Sequence, residues 1–136
     1  MNPVEQISKP AVPFLKSKLP GLISRATCFA AFALAGLNHF LNPGVYCKIM
    51  PSYIPFPVES VYSSGIFELI GAIGLLVPAT RKMAVYGLLF LLVAVFPANI
   101  NMASHPELFP QLPVLFLYIR LPLQGVIMLW VWSCKD

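Results

Sequence analysis

The sequence predicts an all-α fold: an integral membrane four-helix antiparallel bundle with both termini on the cytoplasmic side. Three observations lead there. Hydrophobic residues fill 58% of the 136 positions and charged residues only 10%, where a soluble domain carries about a quarter charged residues. Four apolar stretches cover 22–41, 58–77, 83–103 and 114–133, each close to the roughly 20 residues needed to cross the hydrocarbon of a bilayer. The connections between them are short, which makes sequential helices antiparallel neighbours. The same composition excludes a disordered chain, because disorder requires low hydrophobicity.

The elements follow in order. Residues 1–21 read as a cytoplasmic tail, in which Pro3, Pro10, Pro13 and Pro20 alternate with lysines and favour an extended path over a helix. The first span, 22–41, is too long for the apolar core of a secretory signal and ends in Gly36-Leu37-Asn38-His39-Phe40 instead of a small-residue cleavage site, so it is read as retained. The connection 42–57 holds Pro43, Pro51, Pro55 and Pro57 with Tyr46, Tyr53 and Phe56. Aromatic residues favour the headgroup level, which places this loop along the outer interface, and the prolines oppose a regular strand. The second span, 58–77, ends in the basic turn Pro78-Ala79-Thr80-Arg81-Lys82. The third, 83–103, meets Pro97 near its outer end, and a Pro-rich outer connection leads to the fourth, 114–133. Trp130 and Trp132 stand near the inner end of that span, the level of tryptophan anchors.

Charge placement sets the orientation. Lys9, Lys16, Lys18, Arg25, Arg81, Lys82 and Lys135 fall on one side, and on the other Lys48 stands beside Glu59 and Glu107. Cytoplasmic loops carry the Lys/Arg excess, so the net charge of +4 is a topology signal and an attraction to anionic headgroups. No basic-aromatic run points to nucleic acid. The expected location is a multi-pass integral membrane protein, in the plasma membrane if the source is bacterial. Cys28, Cys47 and Cys134 fall on a span, an outer loop and the inner terminus without a C-x-x-C, and are expected to lie far apart, with neither a disulfide framework nor a zinc site.

Five polar residues interrupt the apolar stretches: His39, Glu68, Asn99, Arg120 and Gln124. With about 1.5 Å of rise per residue, Glu68 lies about 15 Å and Arg120 about 9 Å below the outer ends of their helices, Gln124 lies one turn deeper, and Asn99 and His39 sit near the outer ends of theirs. All five therefore share the outer half of the bundle. Ser64, Gly65, Glu68, Gly71 and Ala72 lie on one face of the second helix, and Phe32, Ala35, Gly36 and His39 on one face of the first. Small residues mark close helix contact in membranes, so both faces point into protein. An ionisable group within a span needs a partner, and the expectation is a Glu68–Arg120 ion pair whose hydrogen bonds are completed by Gln124, Asn99 and His39. Asn99 or a water would also supply a donor to the carbonyl that Pro97 leaves free. Three roles stay open for the cluster: fixing helix register, lining a ligand-binding cavity, or facing a partner subunit.

Other chemistries lack their residues. No second histidine stands at i+4 for zinc, one carboxylate in the bundle is too few for a di-iron site, and neither G-x-S-x-G nor a P-loop occurs. No catalytic residue and no metal ligand is assigned, and no cofactor is specified. Haem ligation through His39 alone has only that one residue behind it.

The motifs also carry a resemblance. Gly36-Leu37-Asn38-His39-Phe40 followed by Pro43 and Pro51, the run 64–71 (SGIFELIG) followed by Pro78, the run 96–103 (FPANINMA), and Arg120-Leu121-Pro122-Leu123-Gln124 together resemble the DoxX-like family of small four-helix membrane proteins, over roughly 36–132. The resemblance implies the same four-helix fold and places Glu68, Asn99, Arg120 and Gln124 in the family pattern. The wider group includes a quinone-linked oxidoreductase subunit, an assembly factor of an oxidative-stress membrane complex and a receptor-assembly chaperone, so it does not choose one role. The similar vitamin K epoxide reductases use a C-x-x-C pair that this chain lacks.

Two functions of different kinds follow as expectations. The first is an accessory or assembly subunit of a redox-linked membrane complex, with a protein partner in the bilayer. The alternative is a membrane oxidoreductase component that binds a quinone-like molecule around Glu68 and Arg120. A small transporter with Glu68 as proton carrier is a third reading and requires an oligomer.

Overall fold

A computed structural model describes residues 12–136. The described chain is helical throughout, with five α-helices: α1 (Val12–Leu41), α2 (Pro43–Ile49), α3 (Pro57–Leu76), α4 (Arg81–Ser104) and α5 (Val114–Ser133). Four of them are long and apolar enough to cross a membrane: Lys18–Leu41 within α1, then α3, α4 and α5. Most of their surface is apolar and exposed, as with Leu34, Phe67, Phe90 and Leu129. That pattern suits helices whose outer faces meet lipid, where no hydrophobic drive buries them.

Two local expectations change. Residues 1–11 of the expected extended tail lie outside the described residues, but from Val12 the chain is already helical. Pro13 falls in the first turn, where the missing N–H costs nothing. Pro20 lies inside α1 and removes one hydrogen bond from a 30-residue ladder without ending it. The connection 42–57 is not irregular throughout either, because α2 occupies half of it with Pro43 at its first position. A proline there starts a helix as readily as it stops one elsewhere.

α1 packs on α3, α3 on α4 and α4 on α5, with α2 laid against α3 and α4. Glycines make the close approaches possible. A Cβ on Gly36 would stand 2.9 Å from the Gly65 carbonyl oxygen, and one on Gly65 would stand 2.9 Å from that of Gly36, so α1 and α3 cross backbone to backbone. Gly71 and Gly74 likewise admit Leu88 and Ala84 of α4. The small-residue faces expected on α1 and α3 are thus the contact faces, with Gly36, Gly65, Glu68, Gly71 and Ala72 all buried. The turn after α3 is fastened by Arg81, whose Nε donates to the Leu75 carbonyl at 3.0 Å, satisfying one of the last carbonyls of that helix.

Two apolar clusters bracket the middle. One joins Cys28 and Phe32 of α1, Ala72 and Leu75 of α3, Val85, Leu88 and Leu92 of α4, and Val131 and Cys134 at the end of α5. The other joins Ile49 of α2, Ala98 and Met102 of α4, Phe109 and Leu117.

The cysteines depart from expectation. Cys28 and Cys134 share the first cluster, and Ser24 Oγ lies 3.6 Å from Cys134 Sγ. The reason is helix length: α5 finishes level with residues 24–28, well inside the start of α1. Arg25, one of the charges on the expected cytoplasmic side, donates to the backbone oxygen of Asp136 at 2.8 Å.

Candidate functional site: a polar cavity between the helices

Between the two apolar clusters lies a cavity of about 300 Å³, at the small end of the range for ligand pockets. Four of the five expected polar residues line it: His39, Glu68, Asn99 and Arg120. They come late in α1, midway in α3, late in α4 and early in α5, which is the arrangement that helices of alternating direction would bring to one level.

The crossing at Gly36 and Gly65 sets His39 against α3. Its Nδ1 lies 3.0 Å from the Val61 carbonyl, and a carbonyl only accepts, so Nδ1 carries the proton. Nε2 then faces Glu68 Oε2 at 3.8 Å, beyond hydrogen-bond reach. Glu68 Oε2 is buried without any hydrogen-bond partner. The Tyr46 ring from α2 packs on the imidazole with centroids 3.9 Å apart, and Asn38 Nδ2 donates to the Tyr46 hydroxyl at 2.8 Å.

On the opposite wall, Gln124 holds α4 and α5 together. Its Nε2 donates to the Leu92 carbonyl, and its Oε1 accepts from Asn99 Nδ2 at 2.5 Å. Gln124 is buried behind the wall and does not line the cavity. Arg120 sends Nη1 to Met102 Sδ at 2.8 Å and Nη2 to Asn99 Oδ1 at 3.4 Å.

The expected Glu68–Arg120 ion pair is therefore not formed. No carboxylate of the described residues reaches Arg120 at ion-pair distance; Glu68 faces His39 instead. The physical reason is placement. α1 and α3 meet at glycines and draw Glu68 toward His39, while the Asn99–Gln124 bond draws Arg120 toward α4, and the cavity lies between. Asn99 is committed to Gln124 and Arg120, so it does not supply the donor that Pro97 withholds.

What remains is an apolar chamber with a guanidinium on one wall and a carboxyl–imidazole pair on the other. Arg120 has only neutral acceptors, so it is free to donate to an oxygen placed in the cavity. Glu68 and His39 can hold one proton between Oε2 and Nε2, and release or take it with little movement. No group of three or more His, Cys, Asp or Glu that could hold a metal ion occurs among the described residues. The residues that sequence reasoning missed are Tyr46, Met102 and Trp130. Tyr46 sits on the unanticipated α2, Met102 is an unremarkable apolar residue in sequence, and Trp130, read as an interface anchor, turns inward with Nε1 donating to Ser24 Oγ at 3.0 Å.

Residues 29–135 match the sequence profile of the family described as a domain of unknown function (DUF8561). The chain belongs to that family, and the matched region contains every residue of the cavity. No curated protein and no solved structure matches the chain.

Proposed function

We propose that this protein is an integral membrane four-helix antiparallel bundle, both termini cytoplasmic, that binds a lipid-soluble molecule with a carbonyl-bearing head, of quinone type, in the cavity between Arg120 and Glu68. The observation that carries this reading is that Arg120 and Glu68 line one cavity without pairing with each other. An arginine and a glutamate that served only to fix helix register would satisfy one another, because leaving either alone in a dry interior costs several kcal/mol. Here a gap separates them, and an oxygen-bearing ligand fills it with the right chemistry. Arg120 would donate to the ligand's carbonyl oxygen, and the His39–Glu68 pair would give or take the proton when that oxygen's charge changes. An ionised donor makes the stronger class of hydrogen bond.

The DoxX-like resemblance is proposed in the same terms. Three of its four motifs each contribute a cavity-lining residue, His39, Glu68 and Asn99, and the fourth contributes both Arg120 and the supporting Gln124. A place in a larger redox-linked membrane complex is compatible with such a site, the partner being the source or sink of electrons.

The test is a thermal-shift titration of the purified protein with a benzoquinone. Wild type should gain stability with ligand, about 2.7 kcal/mol at a hundredfold excess over Kd. Arg120→Gln should fold and lose most of that gain. A wild-type protein whose melting is unmoved by any quinone would overturn the reading.

A further inference from the structure

The walls of the cavity differ in how they are closed. Above it, Tyr46 and Ile49 of α2 and Met50 just after it form a roof. That roof is fastened by Asn101, whose Nδ2 donates to the Ile49 and Met50 carbonyls at 3.1 and 3.3 Å, and by the Asn38–Tyr46 bond. Below it lies the cluster of Cys28, Leu75, Val85, Leu88, Val131 and Cys134, each exposed by 1% or less. The α1–α3 wall is sealed at Gly36 and Gly65, the α3–α4 wall at Gly71 and Gly74, and the α4–α5 wall by Gln124.

One wall is left. α1 and α5 scarcely approach each other; side-chain bonds from Ser24 and Arg25 join them only at the lower end. The cavity-lining residues along this seam are Ala31 and Ala35 on α1, Ile127 and Trp130 on α5. Ala31 is exposed on the outside of the helix cluster and still lines the cavity, so it marks a mouth. Small residues on α1 make that mouth. It lies on the flank of two apolar helices, at the depth of hydrocarbon and not at either polar surface.

We infer that the ligand enters from within the bilayer through the α1–α5 seam, and that it is a single-tailed amphiphile whose head lies at Arg120 and whose apolar tail leaves past Ala31. Dimensions agree. From His39 to Ala31 is eight residues, about 12 Å along α1, polar at the first end and apolar at the other. The cavity holds a ring-sized head with the start of a tail, and the rest of the tail stays in lipid. This inference rests on the binding reading proposed above, and adds the route and the tail.

The test compares two probes, a tail-less benzoquinone and the same ring carrying a decyl tail, in one detergent, with binding read by thermal shift. The variants are Ala31→Trp and, from the facing wall, Ile127→Trp, with Leu34→Trp as a control on the exposed outer side of α1. Ala31→Trp and Ile127→Trp should weaken the tailed probe about tenfold or more, the equivalent of about two buried methylenes. The tail-less probe should change by less than about twofold, and Leu34→Trp should change neither. If wild type binds both probes and the seam variants affect both equally or neither, the seam is not the route although the binding site stands. If wild type binds neither probe, the binding reading falls and the route with it.

Discussion

At the end where α1 starts and α5 finishes, Cys28, Ala72, Leu75, Val85, Leu88, Val131 and Cys134 are packed to near-zero exposure. One to three turns further along the same helices, His39, Glu68, Asn99 and Arg120 surround an open space. The four long helices build both regions, so the contrast is one of side chains. In the first region small and branched side chains pack together. In the second, glycines bring α1 and α3 together on one side, an Asn–Gln–carbonyl chain binds α4 to α5 on the other, and the middle is unfilled. In a bilayer, packing and interhelical hydrogen bonds hold helices together in place of the hydrophobic effect. The apolar end is therefore where packing holds the helices, and the polar end leaves Glu68 Oε2 without a hydrogen-bond partner.

Substitutions should separate the two regions. The largest effect is expected at the apolar end: Leu88→Ala removes a side chain seated on Gly71 and should cost about 2 kcal/mol or more, by lost contacts and the cavity left behind. Thermal melting in detergent measures it, and a loss smaller than those at the polar end would remove the distinction. Next comes Gln124→Leu, which strands the Leu92 carbonyl and Asn99. A loss of about 1 kcal/mol is expected, in keeping with interhelical hydrogen bonds in membranes, together with weaker quinone binding as Asn99 no longer steadies Arg120. The smallest effect is expected from Glu68→Gln. Its Oε2 has no hydrogen-bond partner to lose, so melting should shift by less than about 0.5 kcal/mol, while proton exchange with a bound quinone is lost. A loss as large as that of Gln124→Leu would show instead that Glu68 holds the helices together through Arg120.

That last expectation follows from the absence of the Glu68–Arg120 ion pair expected from sequence; had the pair formed, Glu68→Gln would strand Arg120. Helical spacing put Glu68, Gly65 and Gly71 on one face, and all three are buried; His39, Glu68, Asn99 and Arg120, expected at one depth, line one cavity. Pairing was not legible, because charge and depth say which groups share a layer but not which walls they stand on. The distance across that layer depends on where glycines let helices touch.

The sequence by itself determined the helical class and four segments long enough to span a membrane, since length, hydropathy and the placement of Lys and Arg act segment by segment. It also selected the polar residues of the site, because an ionisable side chain in an apolar helix stands out wherever the helix is put. Only the tertiary structure decided that Pro43 opens a roofing helix, that Cys28 lies beside Cys134, that Trp130 turns inward, and that Arg120 and Glu68 face each other across a cavity. Each of these depends on how far one helix slides along another, and no single segment encodes that.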